Sequence, residues 1–127
     1  MDSTPKKRVL IVEDDAALRL ALSDKLRRED FSVLVATDGE KGLKSALKDK
    51  PDLILLDIIM PKMNGVDVLR KLREDSWGET VPVLLLTNDS NPEHMHATLK
   101  VDAADYLVKS DWTLDAVVLK IKETLRL

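Results

Sequence analysis

Short apolar runs and helix-period runs alternate five times along the chain. Val9 to Val12 is an apolar tetrad that stops at Glu13-Asp14-Asp15, after which Leu18, Ala21, Leu22 and Leu26 recur at helical spacing. Phe31, Val33 and Val35 alternate with smaller residues up to the turn signal Thr37-Asp38-Gly39. Leu43, Ala46 and Leu47 form a second helical stripe that Pro51 ends. Leu53 to Leu56 is continuously apolar and ends at Asp57, the pattern of a strand covered on both faces. Beyond the loop Met60-Pro61-Lys62-Met63-Asn64-Gly65, a third helix carries Val66, Leu69 and Leu72. Val81 to Leu86 reads as the fourth strand, with Pro82 near its start, where a missing N–H is tolerated. Asn91-Pro92 opens a short helix with Met95 and Leu99 on one face, and Tyr106 to Val108 makes a fifth strand. The last helix has the clearest period, in Leu114, Val117, Val118, Ile121 and Leu125. Strict alternation with buried-type strands predicts an α/β domain whose parallel sheet is covered by helices on both faces. The pattern leaves the strand order open.

Composition narrows the function classes. The 127 residues are 44% hydrophobic and 34% charged, ordinary for one globular domain with a real core. Residues 1–7 are expected to be a short polar lead and residues 8–127 the domain. The net charge of −3 is spread without a basic block, so no direct nucleic-acid contact is expected. The absence of cysteine excludes disulfides, thiolate metal sites and cysteine nucleophiles. Met1 to Arg8 has no apolar stretch behind its basic residues, and no run approaches the roughly 20 apolar residues of a membrane span. A cytoplasmic protein without membrane insertion is the expectation.

Glu13, Asp14, Asp57, Thr87 and Lys109 all fall where a strand gives way to a loop. Ligands of open parallel sheets bind beyond the carboxyl ends of the strands, so these five residues can converge on one crevice. Three carboxylates there repel one another and need positive charge to stay ionised. An all-oxygen set suits Mg²⁺, with Mn²⁺ as a substitute, and Lys109 adds a second cation suited to a phosphoryl oxygen. An aspartate beside such cations and the Thr87 hydroxyl has what phosphoryl transfer to a carboxylate needs. Taken singly, each residue has a plainer explanation. Asp15 reads as a helix cap, a strand threonine is usually a β-former, and a lysine at a strand end is usually a solvated charge. Their joint placement favours the site.

The sequence resembles the receiver domain of bacterial two-component response regulators over essentially its whole length. The resemblance is carried by Val9 to Asp15, Pro51 to Asp57, Met60-Pro61 through Asn64-Gly65, Val81 to Thr87 and Asp105 to Lys109. It implies a flavodoxin-like (βα)5 fold with sheet order 2-1-3-4-5. It also implies that Asp57 accepts a phosphoryl group from a sensor histidine kinase or a phosphotransfer protein. Asp14 would bind Mg²⁺ directly, Glu13 through water, and the Ile59 carbonyl would complete the protein ligands. Thr87 and Lys109 would grip the phosphoryl group, with Asn88 and Asp89 as secondary neighbours, and Tyr106 would be the switch aromatic. The phospho-acceptor would be no enzyme beyond self-phosphorylation and self-dephosphorylation. Output would run through a downstream protein partner, on a face including Met95, Leu99, Val101, Tyr106 and Trp112, or through a phosphorylation-dependent homodimer. The phosphoryl donor would dock near Ala17 and Leu20. With no output segment after Leu127, a stand-alone regulator of the chemotaxis type is expected.

Three positions depart from the family pattern: Ser110 replaces the proline usual after Lys109, Asp102 a common glycine, and Asn88 a small residue. A phosphate-independent receiver is the alternative that Ser110 keeps open. An aspartate phosphatase would need a second acid two residues after its nucleophile, where this chain has Ile59. Trp77 and Trp112 read as structural, and His94 and His96 face different ways and make a poor metal pair.

Overall fold

The computed structural model describes residues 5–60, 62–88, 91, 93, 96 and 105–127. Its strands are β1 (Arg8–Val12), β2 (Ser32–Ala36), β3 (Leu53–Leu56), β4 (Val83–Thr87) and β5 (Asp105–Val108). The helices are α1 (Ala16–Arg28), α2 (Gly39–Asp49), α3 (Gly65–Glu74) and α4 (Leu114–Thr124), with a 3-10 turn at Lys109–Asp111. All strand pairs are parallel, in the order β2-β1-β3-β4-β5. Glu93 and His96 are helical and exposed. The rest of the helix expected after Asn91, with Met95 and Leu99, lies outside the described residues, as do His94, Val101, Asp102 and Asp89.

The continuous apolar runs split by parity, because successive side chains of a strand point to opposite faces. Leu10, Val12, Ile54 and Leu56 face α2 and α3, where Ala46, Leu69 and Leu72 close the core. Val9, Ile11, Leu53 and Leu55 face α1 and α4, against Leu22, Leu26, Val117, Val118 and Ile121. Trp77 packs at the margin of the first cluster and Trp112 at that of the second. Phe31 is buried just ahead of β2 rather than within it, and Pro82 likewise precedes β4. Since β2 is an edge strand, its alternation protects only one neighbour, and Val35 stays 47% exposed.

Each helix starts on a polar cap: Asp15 for α1, Asp38 for α2, Asn64 for α3 and Thr113 for α4. These side chains satisfy N–H groups that the first turn leaves unpaired. The Asn64 cap sits at the end of the loop that follows Asp57, and its Oδ1 accepts the Asp67 N–H at 2.9 Å. Asn64→Ala is therefore expected to lower stability by about 1 kcal/mol, read from the urea midpoint, and an unchanged midpoint would refute it.

Candidate functional site

Four strand ends bring their polar residues to one edge of the sheet. Glu13 follows β1, and its N–H donates to the Ala36 carbonyl at 3.1 Å, which extends the ladder by one step and fixes where its side chain departs. Asp57 follows β3 in the same way, donating to the Val12 carbonyl at 3.1 Å. Thr87 ends β4 and is fully buried. Lys109 begins the turn after β5.

The three charged groups meet through one ammonium. Lys109 Nζ lies 2.7 Å from Glu13 Oε1 and 3.1 Å from Asp57 Oδ2. The remaining carboxylate oxygens are engaged locally: Glu13 Oε2 accepts the Asp15 N–H at 3.1 Å, and Asp57 Oδ1 accepts the Ile59 N–H at 3.3 Å. Ligand oxygens of Glu13, Asp14 and Asp57 all lie within 4.8 Å of one another. Glu13 and Asp57 are buried at 3% and 5% exposure, whereas Asp14 is open to solvent.

This arrangement is electrostatically unbalanced. Two buried carboxylates share one lysine, and a single positive charge stabilises the ionised form of only one of them fully. Burial is the main reason the Glu13 carboxyl is pushed up to about 7, with the Asp57 charge adding to it, while the Lys109 and Asp15 hydrogen bonds pull the other way. Burial also disfavours the Lys109 ammonium, but its hydrogen bonds to Glu13 and Asp57 outweigh that and raise its pKa. Lys109 stays charged, and Glu13 is the carboxyl that takes up a proton near neutral pH, because two buried acids share one base. An all-oxygen cluster with uncompensated negative charge fits a hard divalent cation.

Of the other expected site residues, Tyr106 is buried among the α2- and α3-facing core residues, Ile59 is 63% exposed, and Asn88 is exposed. Asp89 lies outside the described residues. Ser110 does not redirect Lys109, since no peptide bond among the described residues is cis and the ammonium still reaches Asp57.

Two further residues shape the site: Arg19, and Gly65, whose place in the Asn64-Gly65 motif does not by itself give its packing role. Arg19, one turn into α1, sends Nη1 back to the carbonyls of Glu13 at 2.9 Å and Asp14 at 3.3 Å, clamping the acidic loop. In the sequence it is a basic residue four positions after the cap Asp15. Gly65 donates its N–H to the Ile58 carbonyl at 2.7 Å, and a Cβ there would overlap the Asp57 carbonyl and the Ile58 backbone. Glycine lets α3 start against the strand end that carries Asp57.

The family model described as response regulator receiver domain matches residues 9–121. Among curated proteins, the probable transcriptional regulatory protein TcrX of Mycobacterium tuberculosis is 37% identical over 93% of this chain and 49% of its own length. The DNA-binding response regulator MtrA of Mycobacterium bovis is 41% identical over 84% of this chain and 45% of its own length. The chain thus spans about half the length of the curated relatives it matches. Among solved structures, a CheY-like response regulator receiver domain protein from Methanospirillum hungatei superposes with a TM-score of 0.90 at 28% identity, covering 96% of this chain and 95% of that one.

Proposed function

The chain belongs to the response regulator receiver family of two-component systems, and from that premise we propose that Asp57 is its phospho-acceptor. The observation that carries this reading is the single Lys109 ammonium bridging Asp57 and Glu13 at the carboxyl end of the sheet. In the proposed step an Asp57 carboxylate oxygen attacks the phosphorus of a phosphohistidine on a sensor kinase or phosphotransfer protein. An O–P bond forms as the P–N bond breaks, the electron pair leaves with the imidazole, and an acyl phosphate results. The Ile59 N–H on Oδ1 holds the carboxylate in one rotamer. Lys109 exchanges its carboxylate contact for a phosphoryl oxygen, and the buried Thr87 hydroxyl donates to another. Mg²⁺ held by Glu13, Asp14, Asp57 and the Ile59 carbonyl, or Mn²⁺ in its place, would neutralise the negative charge that phosphoryl transfer concentrates there.

The phosphoryl group would bias a two-state switch through Thr87 and Tyr106, shifting the population only by its differential contacts in the two states. We place the protein in the cytoplasm; among the described residues no helix is long and apolar enough to cross a membrane. Output through a downstream protein or a homodimer belongs to the same proposal. DNA binding is a property named for MtrA, and none is proposed for this chain, whose net charge is −3. The phosphate-independent reading rested on Ser110, and with Lys109 reaching Asp57 no observation favours it.

The test is intact-protein mass after incubation with Mg²⁺ and a small acyl-phosphate donor, with a chelator arm. One phosphoryl increment that the chelator abolishes, mapped to Asp57 after borohydride trapping, supports the proposal. An increment that maps elsewhere, or none at all under kinase or acyl-phosphate donation, overturns it. Ile59 bears on lifetime: an exposed aliphatic side chain two residues after the acceptor cannot orient an attacking water. Ile59→Asn is expected to shorten the phosphate lifetime by about fivefold or more, followed by the decay of the mass increment. An unchanged decay refutes that role.

A further inference from the structure

A second surface, outside the acidic site, combines an open sheet edge with a stripe of lysines that make no ion pair among the described residues. β2 ends the sheet on one side. The Ser32 N–H donates to the Lys7 carbonyl at 2.9 Å, and the Ala36 carbonyl accepts the Glu13 N–H at 3.1 Å, so Ser32 and Ala36 turn their peptide groups inward to β1. By the alternation of a parallel ladder, the N–H and C=O groups of Val33 and Val35 point outward along the free edge. An edge of this kind is a template for another strand.

Beside it lies a cavity of about 330 Å³ between the end of β2 and α2, lined by Val35, Ala36, Thr37 and the α2 residues Lys41, Lys44 and Lys48. The three lysines are spaced three and four residues apart and so form one stripe along the helix. Among the described residues none of them makes an ion pair, whereas Lys25, Lys109, Lys120 and Lys122 each do. The carboxylate in the cavity, Asp49, accepts the Ser45 hydroxyl at 3.1 Å. Lys44 and Lys41 also line a neighbouring cavity of about 160 Å³ with Lys62, Asp38 and Glu40.

Lysines beside an edge strand prevent pairing with a second, equally lysine-lined edge. The same charges favour a strand of opposite sign. We propose that the β2–α2 groove docks an extended acidic segment of a partner protein by strand addition. Its main chain pairs with Val33 and Val35, and acidic side chains on alternate positions meet Lys41, Lys44 and Lys48. The remaining alternate positions would lie on the sheet face of Val33 and the half-exposed Val35, which asks for small apolar residues there. The binding needs no phosphoryl group, so it stands or falls apart from the role of Asp57.

The probe is a short capped peptide of alternating glutamate and valine, labelled for fluorescence anisotropy against the whole chain. The expected result is binding that weakens about tenfold or more in a Lys41→Glu, Lys44→Glu, Lys48→Glu variant and falls with added salt. A peptide N-methylated on alternate amides is expected to bind about tenfold more weakly to the unsubstituted protein, since it cannot complete the ladder. Hydrogen exchange at Val33 and Val35 should slow when the unmodified peptide is bound. The N-methylated comparison needs no variant, so misfolding of the charge-reversed protein cannot mask the answer. No binding, equal binding of the N-methylated peptide, or unchanged exchange at Val33 and Val35 overturns the proposal. So does inorganic tripolyphosphate binding as tightly as the peptide, which would make the groove a small-anion site.

Discussion

Asp57→Asn is expected to take up no phosphoryl group and, in the same preparation, to be more stable than the unsubstituted protein when metal is absent. The first effect is chemical: an amide oxygen has no carboxylate charge with which to attack phosphorus, and no acyl phosphate can form on it. The second is electrostatic. Asp57 and Glu13 are buried carboxylates drawn to the same ammonium, and the Asp57 charge is one of the causes that push the Glu13 carboxyl up to about 7. Removing one charge lets Lys109 serve Glu13 alone at 2.7 Å. Asparagine keeps the shape and keeps an oxygen for the Ile59 N–H, so little packing is lost. A gain of about 1–2 kcal/mol at neutral pH is the expected size, read from urea unfolding in the presence of a chelator. The two readouts move in opposite directions, which a merely misfolded variant cannot imitate. Phosphoryl uptake that survives in Asp57→Asn would move the acceptor to another residue. Uptake lost together with stability would mean that Asp57 is structural.

The fold was legible because its strands are buried on both faces. A run such as Leu53 to Leu56 has no polar position to break it, and Asp57 marks its end as sharply in sequence as in space. The site was legible for the same reason: in a parallel sheet all strand ends that carry chemistry point one way, so Glu13, Asp57, Thr87 and Lys109 needed no distance information to be grouped. The strand order came from resemblance, because periodicity says which face a residue takes and nothing about which strand lies beside it. The roles of Arg19 and Gly65 are not legible in the sequence, because both act on backbone carbonyls, which leave no mark in the pattern of side chains. Alternation looks the same in an edge strand and a central one, so the sequence pattern does not tell that Val35 is 47% exposed. Ser110 raised a doubt that the loop path removes: a 3-10 turn at Lys109–Asp111 carries the lysine to Asp57 with the Ser110 peptide trans.

Lys109→Ala tests the same cluster with the opposite sign. The substitution leaves two buried carboxylates without their shared cation, and an uncompensated buried charge is among the costlier defects a single change can make. At about pH 8 without metal, a loss of about 2–4 kcal/mol is expected. The pH dependence follows from Glu13, whose folded-state pKa already lies above its ordinary value of 4.5. A carboxyl raised in the fold makes its favourable contribution below the unfolded pKa and loses it as pH climbs through the folded one. In Lys109→Ala the hydrogen bond and charge that lower the Glu13 pKa are gone, so the folded protein holds that proton to higher pH and its stability falls more steeply above neutrality. The deficit should therefore be small near pH 5, where protonation relieves the cluster, and grow toward pH 8. Added Mg²⁺ should recover part of it by supplying the missing positive charge to Glu13, Asp14 and Asp57. Urea unfolding at both pH values, with chelator and then with Mg²⁺, reads all three effects. A deficit independent of pH would assign the lysine a packing role through its aliphatic stem, and one that Mg²⁺ leaves untouched would remove the metal from the carboxylate cluster.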